Sequence, residues 1–501
     1  MSKIDLLIED SAPGLSAKVL FNYPNVYFDA ETEVVAMLAL TAPEVNTTTA
    51  RPPLNIVAAI DCSTSMAGEK MDNAKTSLHK LVDHMGPDDR LCIIGFHSTV
   101  FEVLPSTLMG GTAKSDAHKK INTLRPNGWT NFSGALLQAF AEIKKVEGKK
   151  GCVNRIVLFT DGAPSAGVQD PAKLLEMLEK SMVPEISLTT FGYGTDVETE
   201  LLSEMAKRGR GNFFYVKDIE KCAEMFGMEL GGLLSTYAQN LKVTYTLSEG
   251  VSLVKMLDTT YEVDGSTVTI PDVFGGETKY LLLQVKLPKK TKAVTARPCR
   301  VVDFNVEYDQ VTEARHRSLS EDGAINYVRQ KEAVSAVPTP EVQAQVDLFS
   351  VAFAMNEAKV LADAGDFLRA KGRLESVRLS LGSHAYSTNL DSDLADLTRG
   401  LSSREAYTSS RADLIGTSHG YSTRRAGGSS RSVMFSTAAQ NSTASAFVGA
   451  DPAATPAAPG SDLDALWAAN PDLARVFDPA IGGPDLRAPA SPPVATPRSS
   501  R

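Results

Sequence analysis

No stretch of this 501-residue chain reaches the roughly 18 consecutive apolar residues that a membrane-crossing helix needs. Its first residues, MSKIDLLIEDSAPG, hold no unbroken apolar run and carry acids early, so no secretory leader is expected. Cysteine is sparse. The five, at 62, 92, 152, 222 and 299, are odd in number, widely spaced and without CxxC or Cys/His spacing. They read as reduced, mostly buried thiols of an intracellular protein, which places the chain in the cytoplasm. Histidine numbers only seven, and no GxSxG, GxxxxGK[ST] or HExxH is present, so no enzyme signature stands out. A net charge of −9 offers no general attraction for nucleic acid or acidic membranes. What remains, 43% hydrophobic and 22% charged, is the composition of a soluble globular protein long enough for two or three domains.

The most informative segment is LNIVAAIDCSTSM at 54–66. Its apolar run reads as a strand buried on both faces. It then presents the Asp61 carboxylate and the Ser63 and Ser65 hydroxyls on alternate residues. Hard oxygen donors on a tight loop suit Mg²⁺, although Asp-Ser-Ser loops also serve as turns and helix caps. Asn127-Gly128-Trp129-Thr130-Asn131 adds a hydroxyl after a helical stretch, and Arg155–Thr160 is a second apolar strand ending in Asp161-Gly162.

This order of strand–DxSxS, helix, Thr loop and strand–TDG resembles the von Willebrand factor A (VWA) domain with its metal-ion-dependent adhesion site. The resemblance implies that Asp61, Ser63, Ser65, Thr130 and Asp161 hold Mg²⁺, with Mn²⁺ or Ca²⁺ as alternatives. A partner's Asp or Glu would complete the coordination. Cys62, inside the loop, reads as a small filler, with an oxidation-sensitive thiol as the alternative. His97 reads as structural.

From 53 to 236 apolar strands alternate with amphipathic helices, as at Met71–Met85, and Asp170-Pro171 marks one helix start. The pattern predicts a doubly wound, mainly parallel, Rossmann-like sheet with its ligands at the carboxyl ends of the strands. Residues 1–52 and 237–315 carry short period-2 runs and predict a β-sandwich into which the VWA domain is inserted. Residues 316–400 read as a helical region containing a hairpin, which resembles the helical region that follows A domains in intein-linked and plant RING-type A-domain proteins. No RING cysteines occur, so ligase activity is not implied. Residues 401–501 read as a low-complexity, disordered tail, interrupted by a short helix near 461–478 that places Trp467 as a possible second partner-docking element.

The resulting expectation is a non-enzymatic, Mg²⁺-dependent protein-binding scaffold. The alternatives are an assembly component with a bracing metal and a VWA cofactor of an AAA-type ATPase. A metal-assisted hydrolase ranks last, because no general base accompanies the loop.

Overall fold

Leu54–Asp61 is buried along its whole length, because an apolar strand in a parallel sheet needs cover on both faces. In the computed structural model, which describes residues 14–45, 51–145, 151–194, 197–217, 221–257, 260–290, 297–425 and 430–448, the chain begins with β1 (Ser16–Phe21), β2 (Asn25–Tyr27) and β3 (Thr32–Thr41). It continues with β4 (Leu54–Asp61), α1 (Glu69–His84), β5 (Arg90–Phe96), β6 (Val100–Leu108), α2 (Ala113–Ile121) and α3 (Phe132–Lys144). Next come β7 (Val153–Thr160), α4 (Pro171–Ser181), β8 (Ile186–Tyr193), α5 (Thr199–Arg208), β9 (Arg210–Val216) and α6 (Cys222–Leu234).

These elements form a six-stranded sheet of order β6-β5-β4-β7-β8-β9. Its strands pair in parallel except β5 with β6. Alternate residues of β4 enter opposite layers. Ile56, Ala58 and Ile60 pack in one core with Met71 and Leu78 of α1. Val57 and Ala59 pack in the other with Leu136 of α3 and Leu174 of α4. Asp170 caps α4 by accepting from Ala172 N at 2.9 Å, with Pro171 at the first helical position.

The sandwich resumes with β10 (Thr236–Leu247), β11 (Ser252–Met256), β12 (Glu262–Asp264), β13 (Thr267–Ile270), β14 (Val273–Phe274), β15 (Thr278–Leu287), β16 (Cys299–Gln310) and β17 (Arg315–Val328). One sheet runs β1-β3-β15-β11 and the other β12-β13-β10-β16-β17-β2, with β14 on β10. Thr32 pairs with Leu287 and Asn25 with Asn326, so strands from before and after the α/β unit share both sheets. The unit is inserted in the sandwich, as expected.

The last helices are α7 (Pro340–Asp363), α8 (Phe367–Leu379), α9 (Ser387–Gly400), α10 (Arg404–Thr423) and α11 (Ala438–Val448). Val342 and Phe349 of α7 cover Val35, Met37 and Leu282 on the outer face of β3 and β15.

Two boundaries differ from the sequence reading. Residues 316–328, expected to be helical, belong to β17, whose polar sequence reflects a largely exposed strand. Part of the stretch from 401, expected as a low-complexity tail, forms α10 and α11. Their small residues permit close packing. A carbon added at Gly231 of α6 would lie 2.7 Å from the Gln440 backbone, and one at Gly227 would lie 2.7 Å from that of Ala444. The expected helix at 461–478 lies outside the described residues.

Where the α/β sheet, the sandwich and the end of α10 meet, six ionisable side chains are buried together: Arg155, Glu229, Asp272, Glu277, Lys279 and Arg425. Arg425 grips both Glu277 oxygens at 2.8 and 3.1 Å and donates to the Asp272 carbonyl at 2.6 Å. Arg155 reaches Asp272 Oδ2 at 2.7 Å, and Lys279 donates to Glu277 at 2.7 Å. Burial alone would raise the Glu277 carboxyl, but the Arg425 and Lys279 charges outweigh it and hold the group at about 2.

Replacing Arg425 by Met leaves Glu277 buried with one cation fewer, which is expected to cost about 3–5 kcal/mol. The double variant Arg425→Met/Glu277→Gln is expected to recover only part of that loss, because the buried Lys279 then lacks its carboxylate. Urea midpoints of the full chain measure both. A single variant as stable as the parent would show that the junction does not depend on this pair.

Candidate functional site at the carboxyl edge of the central sheet

β4 and β7 run side by side with Ile60 opposite Phe159. Asp61, which ends β4, and Asp161, which follows β7, therefore leave the sheet at one edge. Asp61 is fully buried. Its Oδ1 accepts from Ser63 N at 2.7 Å and its Oδ2 from the Thr160 hydroxyl at 2.6 Å. The Ser65 hydroxyl donates to Asp161 Oδ1 at 2.8 Å. With that hydrogen committed, the 3.0 Å contact between the two serines has Ser63 as its donor.

Thr130 is buried, and its backbone exchanges bonds with Ser165. A carbon added at Gly162 would lie 3.7 Å from the Ser65 hydroxyl and 3.9 Å from that of Thr130. All five residues singled out in the sequence thus meet over one turn.

A sixth residue was missed. Lys70 places Nζ 2.5 Å from Asp161 Oδ2. Its signal in the sequence is an ammonium in the first turn of a helix, where the macrodipole disfavours a cation and a carboxylate partner is needed. Every oxygen of the two carboxylates consequently accepts from one of the chain's own donors, and Asp161 is paired with the chain's own cation.

The expectation of a metal centre is corrected here. Among the described residues no group of three or more His, Cys, Asp or Glu is placed to hold a metal ion. The loops bring together only Asp61 and Asp161, and protein donors occupy the oxygens of both. Two carboxylates fall short of such a group, so the expectation of Mg²⁺, Mn²⁺ or Ca²⁺ is not upheld. With it fall the metal-ion-dependent adhesion site, the partner Asp or Glu bridged through metal, and the bracing-metal alternative.

Burial raises the Asp61 carboxyl to about 6, against the lowering effect of the Thr160 and Ser63 hydrogen bonds. Cys62 is buried, and desolvation with the neighbouring Asp61 charge pushes its thiol up to about 12. A thiol held protonated is a poor redox sensor, so the filler reading stands. His97 accepts from Thr99 N at 3.1 Å and holds the turn between β5 and β6.

The rim of the edge carries Trp129, 67% exposed. Its backbone N donates to Ser98 Oγ at 3.1 Å. The neighbouring Gly128 has φ +71°, and a Cβ there would come within 2.7 Å of the same hydroxyl. Thr64 N donates to Gly128 O at 3.1 Å and Asn127 N to Cys62 O at 2.6 Å. The Trp loop is therefore pinned to the DxSxS loop on one side and to the β5–β6 turn on the other.

Comparison with known proteins agrees with the fold. Residues 55–227 match the von Willebrand factor type A domain. A structure described as von Willebrand factor type A from Catenulispora acidiphila superimposes with a TM-score of 0.60 at 16% identity, covering 77% of this chain and 89% of that one. Uncharacterized protein YfbK of Escherichia coli is 30% identical over 193 residues, 38% of this chain and 33% of its own length. Inter-alpha-trypsin inhibitor heavy chain H4 of Bos taurus is 29% identical over 164 residues, 32% of this chain and 18% of its own length. The chain thus spans a third or less of these curated relatives.

A VWA-type α/β core inserted in β-structure and followed by helices is the fold of this protein. The cytoplasmic placement is withdrawn, since the inter-alpha-trypsin inhibitor heavy chains H4, H6, H1 and H2 among the relatives give it no support. Among the described residues no helix is long and apolar enough to cross a membrane.

The raised Asp61 carboxyl gives a signed test. A group raised from 3.8 to about 6 on folding favours the folded state below about pH 3.8, and that contribution is lost as pH rises through about 6. Asp61→Asn retains an acceptor for Ser63 N and gains a donor for Thr160. It is expected to be more favourable at about pH 7 than at about pH 4 by about 1–3 kcal/mol. Denaturant midpoints at the two pH values read the difference. A carboxylate kept charged by a bound cation would reverse the sign.

Proposed function

We propose that this chain is a non-catalytic protein-contact module that docks a partner on the carboxyl edge of its central sheet without a bridging metal. Trp129 carries the reading. A large aromatic held out to solvent on a backbone pinned from two sides offers contact area with little entropy left to lose on binding. Exposed Trp side chains of this kind are common anchors of protein interfaces.

Asp61, Ser63, Ser65, Thr130 and Asp161 serve in this reading as the frame that fixes the loop. The Lys70–Asp161 pair balances charge inside that frame. Ser65 and the partly exposed Lys70 supply a polar rim beside the anchor.

The test is capture of partners by the tagged full chain from its native source, with Trp129→Ala and with EDTA as separate arms. Capture is expected to fall at least about tenfold with Trp129→Ala, as for an anchor worth about 2 kcal/mol or more. It is expected to be unchanged by EDTA. Partners retained by Trp129→Ala would move the contact elsewhere on the chain, and partners released by EDTA would restore a metal to the site.

A further inference from the structure

The α7–α8 hairpin leaves a row of large apolar side chains in the open. Leu368 is 82% exposed, Leu379 86% and Val360 65%, with Phe353 also exposed on α7. Phe353 and Val360 lie two turns apart on one face of α7, while Leu368, Gly372, Ser376 and Leu379 follow one another along α8 at helical spacing. Between the helices runs a groove of about 950 Å³, lined by Val360, Leu361, Leu368, Gly372 and Ser376 and edged by Arg369 and Arg373. Scattered apolar residues on a surface need no explanation, but a contiguous row lining a groove marks an interaction surface.

Gly372 separates this groove from ordinary exposed helix. Glycine inside a helix is less favourable than alanine, because it gives up more backbone freedom. At Gly227 and Gly231 the cost has an internal reason, because an added carbon would strike the backbone of α11. At Gly372 an added carbon meets nothing within 4 Å. Packing among the described residues does not call for this glycine. It leaves a notch in the groove floor between Leu368 and Ser376.

The charge around the groove selects the partner. Arg369 and Arg373 of α8 face Glu357 of α7 across the groove, Lys371 adds a charge nearby on α8, and Arg378 is held outside it by Asp391 at 2.7 Å. Arg373 is paired with Glu357 at 2.5 Å, whereas Arg369 has a side chain 75% exposed and reaches only Asp366 at 3.6 Å. A second copy laid face to face would bring this positive row against itself, which is unfavourable. An acidic surface complements it. Anchors repeating at three and four residues are the pattern that a helix presents to a groove. We infer that the α7–α8 groove is a docking site for an acidic amphipathic helix of a partner protein, seated with a bulky apolar side chain over Gly372.

The probe is a display library of roughly 18-residue amphipathic helices, about five turns, with apolar and charged positions randomised and selected on the full chain. Selected peptides are then synthesised and their affinities measured by fluorescence anisotropy. Enriched sequences are expected to carry Asp and Glu flanking Trp, Phe or Leu. Gly372→Leu, which fills the notch, and Arg369→Glu, which reverses the rim, are each expected to weaken them at least tenfold. Gly372→Ala is expected to raise the melting temperature, and an unchanged circular dichroism spectrum of Gly372→Leu separates loss of binding from loss of fold. Peptides that bind Gly372→Leu as well as the parent, enrichment of basic flanks, or no enrichment over a Gly372→Leu counter-selection would each overturn the inference. So would concentration-dependent dimerisation abolished by Leu368→Asp, which assigns the groove to a second copy.

Discussion

The sandwich of this protein closes only around an inserted domain, and six buried charges sit where that closure is made. Arg155 comes from the central sheet, Glu229 from α6, Asp272, Glu277 and Lys279 from the sandwich, and Arg425 from just beyond α10. Paired buried charges add little net stability over apolar residues of the same size, but a mispaired one costs several kcal/mol. Their effect is selective: any arrangement that separates these segments leaves carboxylates or guanidinium groups without partners. Asp272 illustrates the coupling. It takes Arg155 on one oxygen and Gln239 on the other, while its backbone carbonyl takes Arg425. The orientation of the α/β unit in its frame, and so the direction of its carboxyl edge, depends on this junction.

The edge itself follows the same logic at smaller scale. Hydroxyls and carboxylates gathered over one turn carry negative charge that must be balanced, and a bound cation is one way to do it. Lys70 is another. An ammonium reaching back from the first turn of α1 satisfies Asp161 without a ligand, and the two serines relay hydrogen bonds between the loops. Asp61 sits deeper and resolves its charge differently, by a raised carboxyl that also accepts two hydrogen bonds. Each carboxylate oxygen already accepts from a protein donor, so the cluster acts as a brace for the loops above it.

Much of this was legible in the sequence because burial writes itself in apolar runs. Leu54–Asp61 and Ile186–Tyr193 are buried from end to end and Val153–Thr160 at every position but Asn154, and their order placed Asp61 and Asp161 at one sheet edge. Period-2 runs on either side revealed the sandwich. The failures share a cause, which is that pairing leaves no local trace. Whether a DxSxS loop faces a cation or an ammonium depends on where Lys70 points, and spacing from Asp61 does not reveal that. β17 is polar over most of its length and lacks the alternation that announces a strand. α10 and α11 are rich in Ser, Thr, Gly and Ala, which read as low complexity. In the fold these small residues let α11 sit against Gly227 and Gly231 and let Ala412 and Ile415 of α10 join the core beneath the sheet. Trp129 belongs to a motif whose Thr drew attention first, although its exposure is the more telling feature.

Two surfaces of different physical character result. At the carboxyl edge each carboxylate oxygen already has a protein donor, so a partner gains little from those groups and must gain it from the exposed indole. The helical hairpin is the reverse: an open apolar groove with an unfilled notch and surplus positive charge on its rim. Charge at such a rim mainly speeds encounter and excludes like-charged partners, while the apolar floor sets the lifetime of the complex. The two sites therefore differ in their response to salt. Contact through Trp129 depends weakly on ionic strength, whereas docking at the α7–α8 groove slows in association as salt screens Arg369 and its neighbours. A partner that spans both surfaces gains by effective concentration, because the first contact to form makes the second intramolecular.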